Sequence, residues 1–264
     1  MAESKIEWTD FTFNPWIGCT KVSPACLNCY AERDFDIRRH VAAWGRNGSR
    51  VLTSEANWNL PRRWDRAAAQ GGPRRVFCAS LADVFEDWDS LMHGGSGSRP
   101  RSMTDARTDL FKLIDDTPNL IWLLLTKRPE NIRRMWLPRW RPFNVWLGTS
   151  VESSEYLWRI DALKACGDMA AKLFLSCEPV VGPMPTIGEH LDGIDWLITG
   201  GESGPGARVA DADWFRSLRD QSVSAGIPFF FKQWGEFDAD GNRVGKKQAG
   251  RLLDGEQWDQ TPTY

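Results

Sequence analysis

Histidine and tyrosine are scarce in this chain. There are three of each in 264 residues, and the histidines (His40, His93 and His190) lie far apart. A zinc site built on clustered imidazoles therefore has little to draw on. Long apolar runs are missing too. None approaches the roughly 20 residues that cross a bilayer, and Met1-Ala2-Glu3-Ser4-Lys5 lacks the apolar stretch of a signal peptide. The expectation is a cytoplasmic protein without membrane contact. Net charge is also small, -2 at pH 7, which argues against a generally polyanion-binding surface but leaves room for a local basic patch. The six cysteines are too few and too unevenly spaced for a disulfide scaffold in a chain this long. A reducing compartment suits them better.

What the chain does have is apolar content, 42%, and fifteen tryptophans. Most of the tryptophans are expected in the core, since each buries a large area for one hydrogen-bond requirement. Short continuous apolar runs recur: 76–80, 121–126, 145–149, 172–176, 195–199 and 227–231. Continuous rather than alternating runs are the mark of parallel strands covered on both faces. Helical periodicity lies between them, with Met103, Ala106, Leu110, Leu113 and Ile114 on one face, then Tyr156, Ile160 and Leu163, then Trp214, Phe215 and Leu218. Asp211 or Asp213 caps the last of these, and Tyr30, Ile37, Val41 and Trp44 form a further stripe. With a first strand near Phe11 to Trp16, about seven β/α units result. The fold class expected is α/β: a complete or partial (β/α) barrel, TIM-like, with about six to eight parallel strands. A doubly wound sheet is the alternative, weakened because no glycine-rich dinucleotide fingerprint follows the first strand. One barrel domain is expected over 1–237, with a flexible loop at 94–98 and a loosely packed tail over 238–264.

Strand ends carry the reactive groups of β/α barrels, and here they are polar throughout: Ser80 to Asp83, Thr126-Lys127-Arg128, Thr149-Ser150-Val151-Glu152, Ser176-Cys177-Glu178, Gly200-Gly201-Glu202-Ser203 and Lys232-Gln233. Strand ends in any barrel meet water. The repetition nonetheless predicts a charge-paired rim where Asp83, Glu152, Glu178 and Glu202 meet Lys127, Arg128 and Lys232, suited to a zwitterionic ligand.

The sharpest feature is a trio of thiols, Cys19, Cys26 and Cys29, within Asn14-Pro15-Trp16-Ile17-Gly18-Cys19 and Cys26-Leu27-Asn28-Cys29-Tyr30-Ala31. Three thiolates can hold a metal centre and leave one coordination position open. A structural zinc completed by a distant ligand such as Cys78 is the bland alternative. Cys78 and Cys166 are otherwise expected in the core.

These same segments resemble the cluster loop of radical S-adenosylmethionine enzymes, nearest to the spore photoproduct lyase branch, with the spacing widened to C-x6-C-x2-C. The remainder of the chain resembles a family of uncharacterised, largely phage-associated proteins. That match is carried by Asp83-Val84-Phe85, Leu125-Thr126-Lys127-Arg128-Pro129, Leu147 to Glu152, Cys177-Glu178-Pro179, Gly200 to Gly204 and Phe231-Lys232-Gln233-Trp234-Gly235. For a phage-encoded chain, cytoplasm means the host's.

The resemblance implies a 4Fe-4S cluster on Cys19, Cys26 and Cys29, whose fourth iron chelates S-adenosylmethionine. It implies an electron donor protein and reductive cleavage to a 5′-deoxyadenosyl radical that acts on an unidentified substrate. Asp83 is the candidate for the methionine ammonium. Thr149, Ser150, Glu152, Glu202 and Ser203 are candidates for ribose, carboxylate or substrate contacts. Cys177, Glu178 and Lys127 are the candidate catalytic groups. The alternative is an iron–sulfur or zinc-stapled nucleic-acid-binding barrel without this chemistry.

A nucleotide or nucleic acid is the substrate class the composition suggests. Residues 30–75 hold ten arginines against five acids, with Trp44, Trp58 and Trp64 interleaved, and 133–141 mixes guanidinium with indole. Phosphate contact plus base stacking uses that mixture. So does a solvated arginine face with its tryptophans turned inward, and both readings stand at this level.

Overall fold

The computed structural model describes residues 4–94, 99–137 and 141–264. Gly95 to Ser98 of the expected flexible loop, and Pro138 to Trp140 of the arginine–tryptophan stretch, lie outside the described residues. In chain order the strands are β1 (Phe11–Thr12), β2 (Trp16–Ile17), β3 (Val51–Leu52), β4 (Arg74–Cys78), β5 (Leu120–Thr126), β6 (Val145–Ser150), β7 (Lys172–Cys177), β8 (Trp196–Gly200) and β9 (Phe229–Gln233), followed by the short pair β10 (Leu252–Leu253) and β11 (Glu256–Gln257). Seven of them form one parallel sheet in the order β1-β4-β5-β6-β7-β8-β9, flanked by helices, which is a partial α/β barrel. Each strand beyond β1 is joined to its predecessor by a crossover, as parallel pairing demands.

The chain divides into two compact units, each discontinuous in sequence. The first comprises Met1–Val22, Cys29–Leu147 and Asp168–Ala171, and the second Ser23–Asn28, Gly148–Gly167 and Lys172–Tyr264.

In the first unit, Phe11 stacks on Trp64 with ring centroids 4.5 Å apart, and Phe13 meets Trp58 and Trp122 edge-on. Trp58 and Trp64 thus serve packing, on the inward reading of the arginine-rich stretch. The helix Met103–Asp115 opens with a reciprocal capping box between Ser102 and Asp105. Its predicted stripe of Met103, Ala106, Leu110, Leu113 and Ile114 is buried throughout. The stripe after the cysteines is not. Tyr30, Ile37 and Val41 are exposed, because a three-residue helical turn (Tyr30–Glu32) runs into a π-helical segment, Arg33–Arg38. Its i→i+5 bonding widens the turn, so residues counted at a 3.6 period no longer share a face.

In the second unit the helix Ala212–Ser224 is capped by Asp211, whose carboxylate accepts from the Asp213 amide at 2.9 Å. Phe215 packs edge-on against Phe231 and Trp234. The helix Trp158–Lys164 buries Ile160 and Leu163 as its period predicts.

Part of the 238–264 segment, though largely exposed, is bonded to β9 and its neighbours. The Phe231 amide donates to the Trp258 carbonyl at 2.9 Å, and the Phe229 amide to Gln260 Oε1 at 2.9 Å. The Trp196 indole donates to the Gln260 carbonyl at 2.8 Å and the Trp234 indole to the Leu252 carbonyl at 2.7 Å. Leu253 is fully buried. An edge strand leaves its main-chain groups unpaired, and polar residues satisfy them as well as apolar ones, so hydropathy does not reveal the attachment.

Candidate metal centre

The loop carrying Cys19 follows β2, and the residues of its motif hold it in place. Asn14 Oδ1 accepts from the Leu81 amide at 2.7 Å, and Asn14 Nδ2 donates to Ser80 Oγ at 3.0 Å. The Gly18 amide donates to the Leu81 carbonyl at 3.0 Å. Tyr30, next to Cys29, donates its hydroxyl to the Ser80 carbonyl at 2.9 Å. Asn14, Gly18 and Tyr30 therefore clasp the cysteine segment to the chain just after β4. Gly18 has φ +114°, and a Cβ there would stand 2.6 Å from the Ser49 carbonyl oxygen and 2.9 Å from Arg50 Cδ. Both the backbone conformation and the close approach require glycine.

Beneath Cys19 lies a buried group of four charges. Arg50 forks onto Glu86, with Nε to Oε2 at 2.8 Å and Nη2 to Oε1 at 2.7 Å. Arg128 bonds Asp83 Oδ2 through Nη1 at 2.8 Å and lies 3.5 Å from Glu86. Both arginines also reach the cysteine loop. Arg50 Nη2 donates to Thr20 Oγ1 at 2.8 Å, Arg128 Nη2 donates to the Thr20 carbonyl at 2.6 Å, and Arg128 Nη1 approaches Cys19 Sγ at 3.8 Å. Burial, reinforced by the Glu86 carboxylate, pushes the Cys19 thiol up to about 12, and the Arg128 guanidinium offsets part of that rise. Asp83 is fully occupied by the protein: Thr126 Oγ1 at 2.7 Å, the Phe85 amide at 3.0 Å and the Lys127 amide at 3.1 Å join Arg128 on its two oxygens. Asp83, Lys127, Arg128 and Cys19 are thus brought together in this unit. Glu86 and Arg50 were not legible as their partners, although Glu86 follows directly on Asp83-Val84-Phe85.

In the second unit the segment around Cys26 is held in the same manner. Arg208 forks onto Glu202, Nε to Oε2 at 2.8 Å and Nη2 to Oε1 at 2.7 Å, and its Nη1 donates to the Pro24 carbonyl at 3.1 Å. Asn28 Nδ2 donates to Glu202 Oε2 at 3.1 Å and to the Gly206 carbonyl at 2.7 Å. Burial raises the Glu202 carboxyl, but the bonds from Arg208 and Asn28 outweigh it and hold the group below its ordinary value. Cys26 Sγ lies 3.9 Å from Ser23 Oγ.

The other predicted residues of this unit fall into local pairs. Glu152 is wholly buried and bonds Arg159 at 2.8 Å, leaving its second oxygen without a partner. Glu178 pairs with Lys232 at 3.0 Å, and Ser176 Oγ donates to Glu178 at 3.4 Å. Ser203 accepts from Gln233 at 2.6 Å. Thr149 and Ser150 are buried, as is Cys177, whose thiol burial pushes upward. Gly201 admits no side chain, because a Cβ there would stand 1.8 Å from the Trp234 carbonyl oxygen. The predicted acids thus have cations of their own, Asp83 with Arg128, Glu152 with Arg159, Glu178 with Lys232 and Glu202 with Arg208. Arg159 and Arg208 carried no sequence signal, because each comes from the loop or helix after the acid it neutralises.

All six cysteines are free thiols; Cys78, Cys166 and Cys177 are buried, whereas Cys19, Cys26 and Cys29 are half-buried. Among the described residues, no three His, Cys, Asp or Glu side chains are gathered as a metal-holding group. Thiols are the soft ligands that an iron–sulfur cluster would use, but the described residues do not gather these three as one metal-holding group. No helix among the described residues is long and apolar enough to cross a membrane.

The profile of a family described as "Protein of unknown function (DUF5131)" matches residues 3–262. No curated protein and no solved structure matches the chain.

Proposed function

This chain belongs to that DUF5131 family along nearly its whole length, and from its residues we propose that it is an iron–sulfur enzyme of the radical S-adenosylmethionine type. Cys19, Cys26 and Cys29 would hold a 4Fe-4S cluster. When bound, such a cluster supplies the electron for reductive cleavage of S-adenosylmethionine. The observation that supports the proposal is the difference in exposure among the thiols: Cys78, Cys166 and Cys177 are buried, while Cys19, Cys26 and Cys29 are half-buried.

The chain's own contribution is positioning. Asn14, Gly18 and Tyr30 fix the Cys19 and Cys29 segments to Ser80 and Leu81, while Asn28 and Arg208 fix the Cys26 segment to Glu202. Asp83, proposed at first for the methionine ammonium, has its oxygens engaged by four internal donors, so its support is stronger for orienting Arg128. Glu152, with one buried oxygen unpartnered, is the better candidate for a donor on the cofactor or substrate. The substrate class remains a nucleotide or nucleic acid, with an electron donor protein as partner.

The test is anaerobic purification with iron and sulfide assay, then addition of dithionite and S-adenosylmethionine. A brown protein that yields 5′-deoxyadenosine is the expected result. A colourless protein containing zinc, or a brown one that leaves S-adenosylmethionine intact, would overturn the proposal.

A further inference from the structure

We propose that the exposed stretch from Tyr30 to Arg46 binds single-stranded nucleic acid, with Arg39 and Arg46 meeting its phosphates and Tyr30 supporting a base. The inference rests on the substrate class proposed above and uses no metal at the cysteines. All of its residues lie in the first unit.

The pairing of the arginines carries it. Of the ten between residues 30 and 75, Arg50 is buried on Glu86. Arg33 and Arg38 share Asp34, Arg62 pairs with Asp116, and Arg74 and Arg75 pair with Asp10. Arg39, Arg46, Arg63 and Arg66 are exposed, and among the described residues none of the four meets a carboxylate. Arg63 and Arg66 stand on the helix Leu60–Gly71, whose one aromatic, Trp64, is buried. Arg39 and Arg46 stand instead in a stretch with exposed apolar side chains: Ile37 is 63% exposed, Tyr30 47% and Val41 38%. The acids of this stretch are engaged elsewhere. Glu32 pairs with Lys21 at 2.6 Å, Asp34 with its two arginines, and Asp36 Oδ2 accepts from the Trp44 amide at 2.7 Å.

The stretch is exposed yet bonded throughout. The His40 amide donates to the Asp36 carbonyl at 3.0 Å, the Val41 amide to the Phe35 carbonyl at 2.7 Å and the Gly45 amide to the Cys19 carbonyl at 3.0 Å. The Ala43 amide donates to Ser49 Oγ at 2.9 Å. The Tyr30 hydroxyl is tied to the Ser80 carbonyl, which fixes the ring, and Arg39 lies 5.0 Å over the Phe35 ring. Groups already held in place lose little freedom on binding.

The chemistry selects the occupant. A guanidinium matches phosphate geometry, and a fixed aromatic ring stacks an unpaired base. A duplex keeps its base faces stacked away from such a ring. An acidic protein segment would meet the arginines but leave the apolar side chains beside them uncovered.

Fluorescence anisotropy of the full chain with a labelled oligothymidylate or oligouridylate of about 20 nucleotides measures binding between about 50 and about 200 mM salt. The double variant Arg39→Ala, Arg46→Ala is expected to bind about tenfold more weakly and to lower the salt slope by about 1.4, at about 0.7 per phosphate contact. Arg63→Ala, Arg66→Ala removes the same charge elsewhere and should bind as the wild type does. Tyr30→Leu should weaken binding about tenfold with the slope unchanged. Retained affinity in the first variant or in Tyr30→Leu, or equal losses in the two arginine pairs, would overturn the proposal. So would displacement of the strand by polyglutamate at equal charge, which would assign the surface to an acidic protein. Thermal unfolding checks that each variant is folded, and Arg39→Gln with Arg46→Gln replaces the alanine pair if that pair does not fold. A wild type that binds neither strand would overturn the substrate class together with the inference, whereas S-adenosylmethionine cleavage is measured separately and stands or falls alone.

Discussion

Arg208 grips Glu202 with two parallel hydrogen bonds, 2.8 and 2.7 Å long, and turns its remaining nitrogen to the carbonyl of Pro24 at 3.1 Å. One side chain thereby joins the end of β8 to the short turn that bears Cys26. The same grammar recurs in the other unit, where Arg128 joins Asp83 to Thr20.

Removal of the first fork should loosen the Cys26 segment. Glu202→Gln keeps the shape but loses the charge, and is expected to cost about 1.5–3 kcal/mol, the range for hydrogen bonds to charged groups. Hydrogen exchange over residues 23–28 should quicken. The wild type should behave likewise in acid. Glu202 titrates below its ordinary value, so its contribution is present above the unfolded-state pKa and fades as pH falls through the folded one. Unchanged exchange in Glu202→Gln would show that Asn28 and the loop's own bonds suffice.

The cysteines should divide by function. Cys26→Ala is expected to abolish iron binding, whereas Cys166→Ala, which alters a buried thiol that donates to the Ala162 carbonyl at 3.7 Å, should leave it intact. Equal iron in both variants, by colorimetric assay after anaerobic reconstitution, would contradict the ligand assignment.

Arg50 and Glu86 provide a stability test. Both are essentially buried. Loss of Arg50 leaves the buried Glu86 carboxylate with the more distant Arg128, 3.5 Å away, and Arg50→Met is expected to cost about 3 kcal/mol. The double variant Arg50→Met, Glu86→Leu should recover a large part of that, since buried ion pairs exchange for apolar pairs at little net cost. Urea unfolding of the two proteins measures it, and additive losses would argue against coupling.

Alkali should destabilise the metal-free, reduced protein from about pH 9 upward. Burial raises the thiols of Cys78 and Cys177, and that of Cys19 up to about 12. Once the unfolded chain releases these protons and the folded chain does not, folding loses about 1.4 kcal/mol per pH unit for each thiol. Below that window both states are protonated and the effect vanishes. Urea midpoints taken between about pH 8 and about pH 10 should slope downward, and Cys78→Val should lessen the slope.

Much of the architecture was legible before any coordinates. Continuous apolar runs marked six of the seven sheet strands, and the first strand was anticipated at Phe11, because a strand covered on both faces needs apolar side chains at every position. The stripe from Met103 to Ile114 was legible for the same reason, at another period. The stripe from Tyr30 to Trp44 misled because a π-helical segment does not keep the 3.6 repeat. The attachment of part of the tail left no mark in the hydropathy pattern because hydrogen bonds, through Trp258 and Gln260, carry much of it.

The amino-acid order by itself determined where most of the strands lie and that their ends are polar, for these depend on local composition and period. Only the tertiary structure decided which cation meets which acid. Arg128 with Asp83 is a pairing across 45 residues, and Arg50 with Glu86 one across 36. Such partners are chosen by how strands stack side by side, and no local pattern in the chain records that choice.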